Sequence, residues 1–135
     1  MTQENGRATA RLQHVSLPVP AGAGEAVRAF YGGVLGLREK PTPKSFAGSG
    51  IVWFEAGAGE MELHLLPDPE LASKTEKRHF CLAVDDLAAV RRRLEDAGHR
   101  PYDGSPIPNR PRIFCRDPFS NLIEFVNITG HYLAE

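Results

Sequence analysis

Apolar and polar residues alternate along residues 11–20 (RLQHVSLPVP), with Val15 and Leu17 facing one way and His14 the other. Such alternation predicts a half-buried β-strand. After the turn-prone AGAG, apolar residues recur every three or four positions, as they do along an amphipathic helix that ends near Gly36. The members of this apolar stripe are Val27, Phe30, Tyr31, Val34 and Leu35.

Three further segments complete this first half of the chain. A weak strand is predicted within 37–47, where two prolines favour the edge of a sheet. The apolar segments 50–56 (GIVWFEA) and 61–66 (MELHLL) flank a glycine-rich turn, which predicts a hairpin. The polar, proline-bearing stretch that follows is typical of a linker.

The same order of elements then repeats. A strand at 79–84 (HFCLAV) leads through Asp85 or Asp86, either of which can cap a helix, into an amphipathic helix that Gly98 ends. A weak strand is predicted around Pro101. The strands 112–116 (RIFCR) and 122–127 (LIEFVN) follow, joined by a tight turn that begins at Asp117-Pro118.

Two halves that share the order strand, helix and three strands predict an α+β fold of two βαβββ modules related by pseudo-twofold symmetry. Because each sheet needs its helix on one face, the other faces of these mixed sheets are left to curl around a shared cavity. We predict a single domain over 11–128, with module one at 11–67, a linker at 68–77 and module two at 78–128. Residues 1–10 are predicted to be a disordered tail and 129–135 a C-terminal tail.

The composition is that of an ordinary globular protein: 135 residues, 41% hydrophobic and 24% charged. The formal net charge of −1 favours neither nucleic acid nor an anionic membrane surface as a partner. No apolar run approaches the roughly 18–20 residues of a membrane span, and the first ten residues lack the apolar region of a signal peptide. We therefore expect a cytoplasmic protein. Cys81 and Cys115 lie in apolar strand-like runs without CxxC spacing, and we expect both to be buried, reduced thiols.

Four side chains that can bind a metal ion occupy matching places in the repeat. His14 and His79 lie early in the first strand of each half, and His64 and Glu124 lie in the last strand of each half. If the apolar alternates face the helices, all four face the cavity. Imidazoles and a carboxylate suit a first-row divalent ion such as zinc, iron, nickel, cobalt or manganese.

His14, His79 and Glu124 alone make the set of two histidines and one carboxylate that leaves coordination positions open for a substrate. His64 is the expected fourth ligand, with Glu62 on the same face as its competitor. His99 and His131 are expected to be solvated.

Three arginines bracket the strand 112–116: Arg110, Arg112 and Arg116. Arg112, if it faces the cavity, is a candidate to bind a carboxylate or phosphate of the substrate. A solvated basic edge is the alternative.

Four stretches resemble the glyoxalase / bleomycin-resistance / extradiol-dioxygenase superfamily, also called the vicinal oxygen chelate superfamily. They are QHVSL around His14, FYGGVLGL at 30–37, HFCLAVDDLAAVRRRLEDAGH at 79–99 and RDPFSNLIEF at 116–125. The resemblance extends from about Leu12 to Ile128. The last stretch is similar to the family's D-P-x-G-N turn, with Ser120 in place of the glycine.

The resemblance implies metal ligands at His14, His64, His79 and Glu124, and a metal that chelates two adjacent substrate oxygens and stabilises an enolate or oxyanion. We expect a glyoxalase-like, metal-dependent lyase or isomerase that acts on a small α-oxygenated carbonyl compound. Its base would be Glu62, Glu124 or a displaced His64. A homodimer is expected, with the cavity closed either within one chain or across the dimer.

Other activities of the superfamily stay open. An iron(II) extradiol-type dioxygenase would use the same three ligands, but most such enzymes have four modules. Thiol transfer to an antibiotic and simple drug sequestration, as in bleomycin-resistance proteins, are the further alternatives. Glyoxalase I enzymes have a glutamate where this chain has His64, which argues against a strict glyoxalase I.

Overall fold

Two four-stranded sheets form the framework of the protein, whose computed structural model describes residues 10–134. The strands are β1 (His14–Val19), β2 (Glu39–Lys40), β3 (Val52–Glu55), β4 (Glu62–Pro67), β5 (His79–Ala83), β6 (Tyr102–Asp103), β7 (Arg112–Arg116) and β8 (Leu122–Val126). The sheet orders are β1-β4-β3-β2 and β5-β8-β7-β6. In each sheet the outer pair β1-β4 or β5-β8 is parallel and the remaining pairs are antiparallel. The predicted α+β fold of two βαβββ modules is confirmed.

The first helix is less regular than its apolar stripe predicted. An α-helical turn, α1 (Gly24–Val27), continues directly into a π-helix at Arg28–Val34, so that the amide of Leu35 donates to the carbonyl of Phe30, five residues back. A short 3₁₀ helix follows at Lys44–Phe46. Helix α2 (Leu87–Asp96) is regular, and the structure selects Asp86 as its cap, because the Asp86 carboxylate accepts from the amide of Ala89.

The apolar faces of both sheets pack into one core together with the two helices, as the alternation predicted. Its largest fully buried side chains include Tyr31, Phe30, Phe54, Phe125, Leu63, Leu65, Leu94, Ile113 and Ile123. A buried polar network ties the modules to each other: the Tyr31 hydroxyl donates to Asp117 Oδ2 at 2.6 Å, and Asn121 Nδ2 donates to the carbonyl of Pro18 at 3.1 Å. Burial and the neighbouring Asp117 carboxylate raise the pKa of Tyr31 well above its ordinary value, so the hydroxyl keeps its proton.

The turn between β7 and β8 has Ser120 in a backbone conformation that is typical of glycine. Ser120 has a φ of 77°, in the left-handed region that glycine adopts at little cost. Asp117 Oδ1 holds the turn by accepting from the amides of Phe119 at 2.8 Å and Asn121 at 2.9 Å. Ser120 therefore has a backbone conformation that glycine adopts more readily.

Arg116, at the start of this turn, fastens the linker to module two. Its Nη1 donates to the carbonyls of Ser73 at 3.3 Å and Ser120 at 2.8 Å, and its Nη2 donates to the carbonyl of Glu76 at 2.6 Å. The linker is thus held against the turn just before β5 begins.

The expectation of two buried cysteines was wrong for one of them. Cys115 is buried, but Cys81 is exposed, because β5 lies at the edge of its sheet and Cys81 shares the polar face of that strand with His79. The predicted tail at 1–10 lies outside the described residues, apart from Ala10. Within residues 10–134 no helix has the length and apolar character to cross a membrane.

Candidate metal centre

Strand register places the four predicted ligands in equivalent positions of the two modules. Ser16, two residues after His14, pairs with His64, and Cys81, two residues after His79, pairs with Glu124. His64 therefore corresponds to Glu124. Glu62 instead pairs with His14 itself, which is the place of Leu122 in module two.

In module two, His79 and Glu124 are in direct contact, with Nε2 of the imidazole 3.0 Å from Oε1 of the carboxylate. The other ring nitrogen of His79, Nδ1, lies 2.9 Å from the carbonyl of Lys77. Because a carbonyl oxygen only accepts, Nδ1 must carry the proton, and a neutral His79 turns the lone pair of Nε2 toward a carboxylate oxygen. Only a cation between them, either a second proton or a metal ion, makes this contact favourable.

Arg112 engages the second oxygen of the Glu124 carboxylate, with Nη1 3.4 Å from Oε2. Its Nε and Nη2 donate to the carbonyl of Ser105 at 3.2 and 3.1 Å. The guanidinium therefore holds Glu124 in one orientation, with Oε1 toward His79. Its predicted role in substrate binding stays a prediction.

Cys81 lies beside Glu124 on the same face but is a poor nucleophile. Partial burial of the thiol and, next, the negative charge of Glu124 raise the pKa of Cys81 to about 12. The thiol is therefore protonated at neutral pH, which is the unreactive form.

In module one, His14 also has one nitrogen occupied and the other free. Its Nδ1 lies 2.7 Å from the amide oxygen of Gln13, whose own Nε2 donates to the carbonyl of Glu60. With the Gln13 amide so oriented, Nδ1 of His14 carries the proton and Nε2 is left with a lone pair. The side chain is exposed.

His64 is buried between two other rings. Its ring stacks on Trp53 at a centroid distance of 3.9 Å and on His14 at 4.3 Å. Its Nε2 lies 2.9 Å from Oε1 of Glu62, and the other oxygen of Glu62 contacts the ammonium of Lys40. The hydrogen bond from Lys40 and, next, the one from His64 lower the pKa of Glu62 to about 2, so this carboxylate is anionic.

The two pairs of predicted ligands lie on separate sheets. His14 and His79 both line a cleft of about 440 Å³ between the edges of β1 and β5, which Glu62 and Cys81 also line. Among the described residues, no three His, Cys, Asp or Glu side chains form a group that could hold a metal ion. The predicted ligands of one chain thus form two pairs, which we name the module-one half-site (His14 and His64) and the module-two half-site (His79 and Glu124).

The other two histidines lie outside both half-sites. The ring of His99 packs edge-on against Phe30 at 5.0 Å, so it is partly buried rather than solvated, while exposed His131 stacks on Tyr132 at 4.8 Å.

Sequence reasoning missed Lys40 and Trp53, which surround His64. Trp53 had a signal, because it alternates with the buried Val52 and Phe54 and must therefore share the polar face. No sequence signal pointed to Lys40, because β2 is only two residues long and is too short to show an alternation of polar and apolar residues.

Comparison with known proteins agrees with this fold. The family model described as the glyoxalase/bleomycin resistance protein/dioxygenase superfamily matches residues 11–125. A glyoxalase family protein from Bacillus anthracis is 28% identical, with a TM-score of 0.80 over 90% of this chain and 98% of that chain. No curated protein matches the chain significantly in sequence.

Two more distant structures share the fold. TnmS3, an antibiotic binding protein from Streptomyces sp. CB03234, is 22% identical, with a TM-score of 0.70 over 90% of this chain and 98% of that chain. A variant of the fosfomycin resistance protein FosX from Listeria monocytogenes, in complex with Mn(II) and a dihydroxypropylphosphonic acid, is 16% identical, with a TM-score of 0.72 over 89% and 93%. With a family match over most of its length, the chain belongs to the glyoxalase/bleomycin resistance protein/dioxygenase superfamily.

Proposed function

We propose that this protein is a metal-dependent, glyoxalase-like lyase or isomerase that acts on a small α-oxygenated carbonyl compound. The observation that carries the proposal is the contact between His79 Nε2 and Glu124 Oε1, in a ring whose Nδ1 already donates a hydrogen bond to the carbonyl of Lys77. This contact of 3.0 Å requires a cation, and a divalent metal ion is one that the imidazole nitrogen and the carboxylate oxygen can both bind.

The proposed ligands are His14, His79 and Glu124, with His64 as the fourth. Each histidine has one ring nitrogen at an acceptor, on Gln13, Lys77 or Glu62, which fixes the ring and frees the other nitrogen. A bound divalent ion would act as a Lewis acid on the substrate oxygens. The FosX structure, which contains Mn(II) in the same fold, is consistent with such a site.

We propose that the two half-sites meet across a homodimer. A twofold axis would set the module-one half-site of one copy against the module-two half-site of the other. The exposure of His14 and the one-third exposure of the His79 side chain support this arrangement, since both rings are open to a partner. Within residues 10–134 of one chain, no three His, Cys, Asp or Glu side chains come together, which supports it further.

Proton transfer, which such a reaction requires, we assign to Glu124 or to His64 when it leaves the site. Glu62 is the least suited of the candidate bases, because both of its oxygens are engaged, one by Lys40 and one by His64.

Drug sequestration is the second candidate function. The cleft between β1 and β5 has a largely apolar lining that includes Leu12, Met61 and Phe80, which suits an apolar ligand. TnmS3 has the same fold and is an antibiotic binding protein.

Metal analysis of protein purified without a histidine tag tests the proposal. We expect about one divalent ion per chain, and turnover of the adduct of methylglyoxal with a thiol. Turnover of a catechol after loading with iron(II) would instead identify a dioxygenase. Protein that takes up no metal would contradict both enzymatic functions.

The variant Glu124→Gln makes this test specific to the site. It should lose most of its metal, because the proposed set then has no anionic ligand, while its melting temperature should stay close to that of the metal-free wild type. Glu95→Gln, on the exposed face of α2, is the matched control and should keep its metal. Unchanged metal content in Glu124→Gln would rule out Glu124 as a ligand.

A further inference from the structure

Two triads of the same kind, each a basic side chain, a glutamate and a histidine, lie on the two sheets. In module two the chain of contacts runs from Arg112 to Glu124 to Nε2 of His79, and in module one it runs from Lys40 to Glu62 to Nε2 of His64. The nitrogen-to-oxygen distances are alike, 3.0 Å in module two and 2.9 Å in module one. By composition alone, Glu62 and Glu124 would have the same role.

The second ring nitrogen separates the two triads. In His79, Nδ1 donates a hydrogen bond to the carbonyl of Lys77, so that in a neutral ring the lone pair lies on Nε2. In His64, Nδ1 has no hydrogen-bond partner within residues 10–134, and the faces of the ring are covered by Trp53 and His14. The proton of a neutral His64 therefore belongs on Nε2, where the anionic oxygen of Glu62 accepts it.

We infer that Glu62, itself oriented by Lys40, is a positioning residue that holds His64 in the Nε2–H tautomer and leaves Nδ1 as its metal-binding atom. Glu62 is then neither a ligand nor the base. This inference rests on the proposed function, because it concerns the same metal site. Its register position supports it: Glu62 pairs with His14, whereas the residue equivalent to Glu124 is His64.

Lys40 makes the inference unusually testable. In Glu62→Gln the ammonium of Lys40 can only donate, so it should take the amide oxygen of the new side chain. The amide NH₂ then faces Nε2 of His64, which must become an acceptor, and the proton moves to Nδ1. In the double variant Lys40→Met/Glu62→Gln the amide is free to turn its oxygen back to His64, and the Nε2–H tautomer should return.

The experiment reads the tautomer of His64 directly by long-range ¹H–¹⁵N NMR on metal-free protein at mildly alkaline pH, where imidazoles are neutral. The signals are assigned with His64→Gln. We expect the Nε2–H form in the wild type, the Nδ1–H form in Glu62→Gln and the Nε2–H form again in the double variant. Affinity for Zn(II), measured by calorimetry, should fall about 10- to 100-fold in Glu62→Gln and recover in the double variant.

Glu55→Gln is the matched control. Glu55 pairs with Glu62 across the strands but is exposed, in an ion pair of 3.7 Å with Arg38, and its replacement should change neither tautomer nor affinity. A wild-type His64 in the Nδ1–H form, or wild-type zinc affinity in Glu62→Gln, would overturn the inference. Absence of zinc binding in the wild type would overturn the proposed function and the donor role of Nδ1, while the NMR result would still decide the role of Glu62 in tautomer choice.

Discussion

Two residues, Ser120 and Trp53, have locally unfavourable features that contacts with neighbouring residues offset. Ser120 adopts a left-handed backbone conformation that costs a non-glycine residue about 1–2 kcal/mol, and the hydrogen bonds of Asp117 keep it there. Trp53 buries its Nε1 without a hydrogen-bond partner in the described part of the chain, while its ring stacks on His64. Both residues lie within or beside features that position the half-sites.

Ser120→Gly should increase the free energy of unfolding by about 0.5–1 kcal/mol, because glycine removes the left-handed strain but gains freedom in the unfolded chain. Urea denaturation followed by circular dichroism measures the change. Gly98→Ser is the converse control: at a φ of 88° it should lose stability by a similar amount. A destabilised Ser120→Gly would mean that the serine side chain contributes a contact of its own.

At the scale of elements, the sequence predicted the long patterned segments and failed at the short or irregular ones. The strand predicted at 112–116 is β7 with the same bounds, and the apolar alternates Ile123 and Phe125 of the neighbouring β8 face the core as expected. The π-helix at 28–34 was missed, because a stripe of spacing three and four does not distinguish a π-turn from an α-turn. Cys81 was expected to be buried because an apolar run does not reveal that its strand lies at a sheet edge with one open face.

The positions of the candidate site residues were predictable from the sequence, but the contacts of their side chains were not. Matching positions in a repeat led to the prediction of His14, His64, His79 and Glu124, and the strand register shows that these positions are equivalent in the two modules. Sequence could not show which oxygen or ring nitrogen each side chain presents, because that depends on contacts with residues distant along the chain.

The contact between the Tyr31 hydroxyl and Asp117 joins the first helix to the turn of module two, 86 residues away. Tyr31→Phe should lower the free energy of unfolding by about 1–3 kcal/mol, because it leaves a buried carboxylate with one donor fewer. Thermal unfolding checks this. Tyr102→Phe, at a residue 51% exposed, should change stability by less than about 0.5 kcal/mol, and equal losses in both variants would contradict the structural role of the buried pair.

For the whole molecule, a site shared between two copies has a consequence that a site within one chain lacks. His14→Ala damages one half-site and Glu124→Gln the other, so each variant alone should bind little metal. When the two are mixed, unfolded and refolded together, about half of the dimers contain one chain of each kind, and each of these has one intact site of its two. About a quarter of the metal capacity should return.

Equilibrium dialysis against Zn(II) measures the recovered capacity. A mixture of His14→Ala with His64→Gln, both in the same half-site, is the control and should recover nothing. If the first mixture also recovers nothing while sedimentation shows dimers, the metal site is contained within a single chain.

The linker that Arg116 holds also orients His79. The carbonyl of Lys77 accepts a hydrogen bond from Nδ1 of His79, and Lys77 directly follows Glu76, whose carbonyl Arg116 binds. If the protein is expressed as two fragments, or as a circular permutant with new ends, the position of the break in the linker therefore matters. Breaks at 68–72 would spare every carbonyl that Arg116 and His79 bind, whereas breaks at 76–78 would free the ring to rotate. The connection between the modules therefore fixes the orientation of the His79 ring in addition to joining the two halves of the chain.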